Sequence, residues 1–463
     1  MHQPKLGTAE KFGYGIGALG EGLAFNLVAS FFMIYCTDTL GISASFMAIM
    51  FFFARLWDAI NDPIVGTLSE NIKTKWGKHR PWVLLGAVTN AAVVVCMFLP
   101  GLSRLASPLI AVTALFVLCD MTYTIIDVPY YAYAASFTDM KERDQISVIP
   151  RILGGVATIG IPVLTLPMVS RLGNGSNVQG YFRWAIVVAA IFVACALVTA
   201  FTMKKRELGA RAKPFTFRET LHTLRTNDQL LIIETVFVMA MTAITMTTSV
   251  ALYYFKYVWK NPDAYGLFTL TAGAGMGVAL LSYSLLVKKI SRRALFIISL
   301  AMPAAGYLVM FTISMLTKNV NFMLPAVVFT VGGFGFIGIF TSIFMVDVVD
   351  YGEWKQGYRS ENIIFSLLTF IGKFSNAIAS LITMGTLYFA GYISTKEDLM
   401  GNAGTAAAIP WQPPAVSLAL NILMFAVPPV ILLLALTLYL KKYKLHGAYM
   451  EEIKAGLEAK REA

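Results

Sequence analysis

Asp58 and Asp62 stand four residues apart in a strongly apolar run, so on a helix turning about 100° per residue the two carboxylates share one face. Arg55 precedes Asp58 by about one turn, and Asn61 lies beside the pair. Two carboxylates one turn apart repel unless a cation sits between them. A set of hard oxygen donors suits a small ion such as Na⁺ better than a soft metal. The alternative is internal neutralisation, with Arg55 pairing one Asp and a proton on the other, but it gives Asn61 no role.

A second set of residues follows at Asp120, Thr124, Asp127 and Tyr131, spaced by four, three and four. That spacing draws a polar and aromatic stripe down an otherwise apolar helix. A carboxylate beside aromatic rings holds sugars well, through charge-assisted bonds to paired hydroxyls and stacking on the C–H face. A helix-packing stripe is the competing reading, stronger for Asp120 than for Asp127. Lys373, flanked by Gly372, Ser375 and Asn376, serves either as counter-ion to a span-two Asp or as a substrate contact. Arg151, directly after Pro150, is either a substrate contact or an interfacial anchor. Glu21, Arg183, Lys256 and Glu234 fall nearer helix ends, where snorkelling explains a charge.

These charges are notable because of what surrounds them. The 463 residues are 57% hydrophobic and 14% charged, with a mean hydropathy of +0.67. A soluble domain carries about 25% charged residues, so this is the composition of a polytopic membrane protein. Apolar runs long enough to cross a bilayer, about 20 helical residues each, number twelve: 13–36, 42–68, 82–102, 109–137, 151–170, 181–203, 230–258, 265–287, 294–316, 322–349, 362–391 and 416–440. They are too long for barrel strands. The expected fold is therefore an all-α membrane protein. A charge at the centre of a lipid-facing span costs about 2.5–3.5 kcal/mol, so the deep acids and bases need partners, a wet cavity or a function.

With the N-terminus placed inside, 27 of the 37 Lys and Arg fall in cytoplasmic segments and five in external loops, which puts both termini in the cytoplasm. The net charge of +11 is then a topology signal, and no nucleic-acid partner is expected. The basic segment after the sixth span divides the chain into a six-helix half at 1–203, a linker at 204–229, a second six-helix half at 230–440 and a tail at 441–463. That is the arrangement of a transporter built from parallel repeats. The first span lacks a cleavage site and reads as a retained helix. The four cysteines are scattered without C-x-x-C spacing, and the four histidines fall in polar segments, so neither a disulfide framework nor a transition-metal site is expected. No motif points to an enzyme.

Several spaced motifs support a family resemblance. Tyr14-Gly15-Ile16-Gly17-Ala18-Leu19-Gly20, Arg55 through Pro63, Trp76-Gly77-Lys78-His79-Arg80-Pro81-Trp82, Thr122 through Pro129 and Asp350 through Lys355 resemble the glycoside-pentoside-hexuronide:cation symporters. That is the melibiose permease family of the major facilitator superfamily. The resemblance implies the major facilitator fold, twelve transmembrane helices in two six-helix halves, in a monomer of the inner (cytoplasmic) membrane. It implies a cation site at Asp58, Asn61, Asp62 and Thr124, with Na⁺ on Asp58 and Asp62 and with H⁺ or Li⁺ as alternatives. Lys373 stands beside that site. The sugar site falls on Asp127, Tyr123, Tyr131 and Arg151. The family's span-one acidic sugar ligand is Gly22 here, and Glu21 is turned about 100° from it. Losing that acid while Arg151 and Lys373 remain leans the substrate toward a hexuronide or uronic-acid oligosaccharide. A neutral glycoside or pentoside is the first alternative and a lipid or lysolipid carrier the second. No cofactor beyond the coupling ion is expected.

Overall fold

The structure is a computed structural model that describes residues 6–462 apart from 72–75, 78, 136–139, 205–224, 318, 357–360 and 395–410. Most of the 204–229 linker and Lys78 of the Trp76–Trp82 motif thus lie outside the described residues. Among the described residues the architecture is all-helical. In chain order the elements are α1 (Thr8–Leu27), α2 (Ala44–Asn71), α3 (Arg80–Met97), α4 (Pro108–Ala135), α5 (Met140–Gly173), α6 (Asn177–Thr202), α7 (Asp228–Tyr253), α8 (Ala264–Leu286), α9 (Arg292–Leu316), α10 (Val320–Gln356), α11 (Glu361–Phe389), α12 (Pro414–Lys442) and α13 (Ala448–Glu462). Wide π-helical turns extend α1 at Val28–Phe32 and Tyr35–Thr39, extend α7 at Tyr254–Val258, and interrupt α12 at Ile422–Ala426.

Among the described residues ten helical segments are long and apolar enough to cross a membrane. The other two expected spans correspond to α2 and α11, of 28 and 29 residues. At about 1.5 Å per residue both are long enough to cross. Two helices overrun their expected spans: α5 begins at Met140, before Pro150, and α10 continues to Gln356.

The helices group into two compact units. Unit 1 comprises Met1–Arg211 together with Phe255–Thr269 and Met384–Val416, and unit 2 comprises the rest. In unit 1, α1 packs on α5 and α6, and α3 on α4 and α6. Gly20 permits the contact of α1 with α6, because a Cβ there would stand 2.6 Å from the Cys195 Cβ. The shared core contains Tyr14, Ala18, Ala87, Ile126, Tyr130, Phe192 and Ala196. Tyr14 and Tyr130 stack at 4.3 Å, and each hydroxyl donates to the other residue's carbonyl. Reciprocal bonding satisfies two hydroxyls that would otherwise be buried at a cost.

In unit 2, α7 packs against α10 and α12, and α9 against α10 and α12. An aromatic cluster of Phe296, Phe340, Phe344 and Tyr439 fills this interface. Asn227 caps α7 by accepting from the Leu230 N–H at 3.0 Å, and its Nδ2 donates to the Val348 carbonyl of α10 at 2.9 Å. Asp228 accepts from Lys355 at 2.6 Å and from the Tyr351 hydroxyl at 2.8 Å. The Asp350–Lys355 motif therefore ties the end of α10 to the start of α7 inside one unit. The segment after α12 also folds: in α13 Ile453 and Leu457 are buried, and Tyr449 meets Trp354 edge-on at 6.3 Å.

Candidate functional site

The candidate residues of unit 1 converge on the middle of α4. Two contacts from α3 fix that helix. A Cβ on Gly86 would lie 2.6 Å from the Ile126 backbone nitrogen, so only glycine allows α3 to approach α4 this closely. Buried Asn90 donates to the Cys119 carbonyl at 2.9 Å and to the Thr122 hydroxyl at 3.0 Å. These contacts, at Cys119, Thr122 and Ile126, flank Tyr123 and Thr124 and set which face of α4 these two and Asp127 occupy.

On the α2 side, Asn61 and Thr124 are both 3% exposed, and Asn61 Nδ2 donates to Thr124 Oγ1 at 2.9 Å. The Thr124 hydroxyl donates to the Asp120 carbonyl at 3.0 Å. A donor and an acceptor on different helices thus meet at the level expected for the cation site. The backbone of α2 places Asp58 three residues before Asn61 and Asp62 one after it. The side chains of Arg55, Asp58 and Asp62 lie outside the described residues.

Asp127, one turn beyond Thr124, is half-buried, as is Tyr123, whose ring lies 5.3 Å from Phe25 of α1. Tyr131 is 59% exposed and stands edge-on to Tyr130 at 5.3 Å. Glu21, Asp127 and Arg151 all lie within electrostatic reach of the Tyr131 hydroxyl. Arg151 is exposed, near the start of the apolar part of α5 and next to buried Pro150. The structure therefore brings together Tyr123, Asp127, Tyr131 and Arg151. Lys373 is half-buried on α11 and belongs to unit 2, where the neighbouring Ser375 hydroxyl donates to the Val238 carbonyl at 3.1 Å.

Glu21 departs from its expected placement. Snorkelling near a helix end was expected, but α1 starts at Thr8 and continues through the π turn to Phe32, which leaves Glu21 near the middle. It is 3% exposed, and its oxygens make no hydrogen bond of ordinary geometry among the described residues. Tyr123 and Asp127 stand within its electrostatic reach. A carboxyl sealed in a span beside a second carboxyl is costly, and in membrane proteins such groups face a substrate or ion path.

Lys256 lies near its helix end as expected, in the π turn Tyr254–Val258. It does not reach for the interface but donates at 2.5 Å to Asp38, which is 3% exposed and was not singled out from sequence. The available signal was aromatic flanking: Asp38 follows Phe31-Phe32-Met33-Ile34-Tyr35, and Lys256 sits inside Tyr253-Tyr254-Phe255-Lys256-Tyr257. The stretch around each charge is too apolar to be an ordinary loop. Arg183 behaves as an edge residue, exposed and donating to the Leu172 carbonyl at 2.6 Å. Glu234 is 7% exposed on α7.

A sequence profile of the family described as MFS/sugar transport protein matches residues 13–447. The isoprimeverose transporter of Lactiplantibacillus pentosus is 28% identical over 406 residues, covering 86% of this chain and 84% of that one. The inner membrane symporter YicJ of Escherichia coli (strain K12) is 27% identical over 450 residues, covering 96% and 93%. Among solved structures, a bacterial homologue of the human lysosomal transporter Spinster, inward-facing and unoccupied, superposes with a TM-score of 0.64 at 15% identity, over 93% of this chain and 95% of that one. At that identity the likeness speaks for the fold alone.

Proposed function

Because the chain belongs to the MFS/sugar transport family, we propose that it is a cation-coupled symporter of neutral glycosides. Na⁺ is the coupling ion, held by Asp58 and Asp62 with Asn61 and Thr124, and H⁺ or Li⁺ are the alternatives. The sugar is held by Asp127, Tyr123, Tyr131 and Arg151, and Lys373 is a further candidate contact. The protein works as a monomer in the inner membrane with both termini cytoplasmic. The two six-helix halves, 1–203 and 230–440, alternate in access to the two sides of the membrane.

The observation that carries the reading is the Asn61–Thr124 hydrogen bond. It joins α2, which holds the two span-two acids, to α4, which holds the sugar stripe one turn further on. Cation binding between Asp58 and Asp62 removes their repulsion and draws α2 toward α4, which orders the Asp127 face. Coupling of this kind is reciprocal, so sugar tightens the cation as the cation tightens sugar.

The sequence alone leaned toward an acidic sugar because the span-one acid was missing. Glu21 supports the other choice, since a second buried acid beside Asp127 offers a uronate carboxylate no cation partner on that side of the pocket. The relative named for isoprimeverose, a neutral disaccharide, agrees with this. A lipid carrier would need a chiefly apolar path, and the polar stripe on α4 argues against one.

The test is Na⁺-driven uptake into proteoliposomes of a panel containing neutral disaccharides, hexuronides and lysolipids. Neutral glycosides should be accumulated and the others excluded. Uptake of uronides alone would replace this reading with the acidic-sugar one, and uptake of lysolipids alone would remove both.

A further inference from the structure

Asp38 gathers four hydrogen-bond donors. It accepts from Lys256 Nζ at 2.5 Å, from the Tyr257 hydroxyl at 2.6 Å, from the Thr37 hydroxyl at 3.0 Å and from the Tyr392 hydroxyl. The rings of Tyr257 and Tyr392 meet edge-on at 5.7 Å. Close by, the Ser394 hydroxyl donates to the Ile42 carbonyl at 2.8 Å, and Phe31 packs edge-on against Tyr265 at 6.1 Å.

These residues come from three places far apart in the chain: the end of α1, the end of α7 and the turn after α11. All three are odd-numbered helices, so their ends lie on one face of the membrane, opposite the face where α1 begins. Two of the three segments are π-helical, Tyr35–Thr39 around Asp38 and Tyr254–Val258 around Lys256 and Tyr257. A π turn is less tightly bonded than an α turn and recurs where a helix must rearrange.

The chemistry of the cluster also separates it from ordinary packing. An apolar seal loses its whole stabilisation when water enters. A carboxylate, an ammonium and two phenols exchange protein partners for water with little net change, so closed and open states stay close in free energy. Alternating access requires that balance on any face that opens and shuts.

We infer that Asp38, bonded to Lys256, Tyr257 and Tyr392 where α1, α7 and α11 end, is the latch that closes this face between substrate-loading events. The inference rests on the transport reading. Its first test needs no sugar, so the two can fail separately.

Cys36 is a built-in reporter, because it lies two residues before Asp38 and is fully buried. In a chain with Cys96, Cys119 and Cys195 changed to Ala, a membrane-impermeant maleimide should label Cys36 slowly. Asp38→Asn and Lys256→Met should each speed labelling about tenfold, as expected from weakening the closed state by one charge-assisted bond. The charge exchange Asp38→Lys with Lys256→Asp should slow it again. Tyr257→Phe and Tyr392→Phe, each removing a single hydroxyl, serve as milder variants in case charge loss prevents folding, and should give a smaller acceleration.

In a second arm, Asp38→Cys and Lys256→Cys joined by a short bifunctional thiol reagent should lose uptake and regain it on reduction. Unchanged Cys36 labelling in all four single variants, each purified as a monodisperse protein, would overturn the latch. So would a cross-linked pair that transports at the rate of the uncross-linked one, since the cluster would then be permanent structure.

Discussion

The Asn61 amide donates to the Thr124 hydroxyl across the α2–α4 interface at 2.9 Å, while the same hydroxyl donates to the Asp120 carbonyl of its own helix. Thr124 is thereby held between the two helices, its oxygen accepting from α2 while its proton is given to α4. Removing either partner strands a buried polar group at about 1–3 kcal/mol. Asn61→Ala and Thr124→Val should therefore each weaken Na⁺ binding by about tenfold or more while leaving sugar affinity at saturating Na⁺ nearly intact. Calorimetric titration of Na⁺ against both variants checks this, and normal Na⁺ affinity in both would detach the bond from the cation site.

Asp58 and Asp62 carry the stronger expectation. Replacing either with Cys or Asn should abolish Na⁺-stimulated uptake and leave measurable sugar binding, because the carboxylates act on the ion and not on the sugar. The comparison to make is uptake with and without Na⁺ in the same vesicles, and stimulation that survives in both variants would remove this pair from the mechanism.

For the sugar, Asp127→Asn takes away a charge-assisted acceptor worth about 1.5–3 kcal/mol, so binding should weaken at least about tenfold with cation binding spared. Glu21→Gln separates two roles for its neighbour. If Glu21 keeps uronates out of the pocket, the variant should bind a hexuronide that the parent rejects. Competition of a neutral glycoside by glucuronide, measured in parent and variant, gives the answer, and equal competition in both would leave Glu21 without that role.

Membrane potential offers a test that needs no substitution. A tenfold inward Na⁺ gradient contributes about 1.4 kcal/mol, and 100 mV adds about 2.3 kcal/mol for each net charge carried. One Na⁺ with a neutral glycoside thus has about 3.7 kcal/mol available, enough for accumulation on the order of several hundredfold. Uptake should rise steeply when a potassium–valinomycin potential makes the vesicle interior negative. A flat response at a measured stoichiometry of one Na⁺ per substrate would instead indicate a monoanionic sugar, whose transport moves no net charge.

Much of the fold could be read from the sequence because lipid imposes a simple rule: a span must be apolar for about 20 residues and helical throughout. The Asp58–Asp62 spacing and the Asp127 stripe were legible for the same reason, since a charge in such a run stands out. Glu21 was misplaced because hydropathy locates the ends of a span only to within a turn or two, and α1 starts before its apparent beginning, at Thr8, and runs on through π turns to Thr39. Asp38 was invisible for a different reason. Its significance comes from Lys256, Tyr257 and Tyr392, more than 200 positions away in sequence, and no local pattern announces a contact of that separation. The helical tail was missed because α13 is short and rich in charge, so a search for apolar spans passes over it.

Asn227 joins two tasks in one amide: its oxygen caps α7 and its nitrogen holds the Val348 carbonyl of α10. Carboxylate and amide are nearly the same size and shape, so position 227 distinguishes them by chemistry alone. An aspartate would still cap the helix but would turn a second acceptor toward a carbonyl that needs a donor, and a serine would cap without reaching across. In a saturation library this site should then tolerate very few of the usual capping residues, even though any of them would satisfy the helix taken by itself.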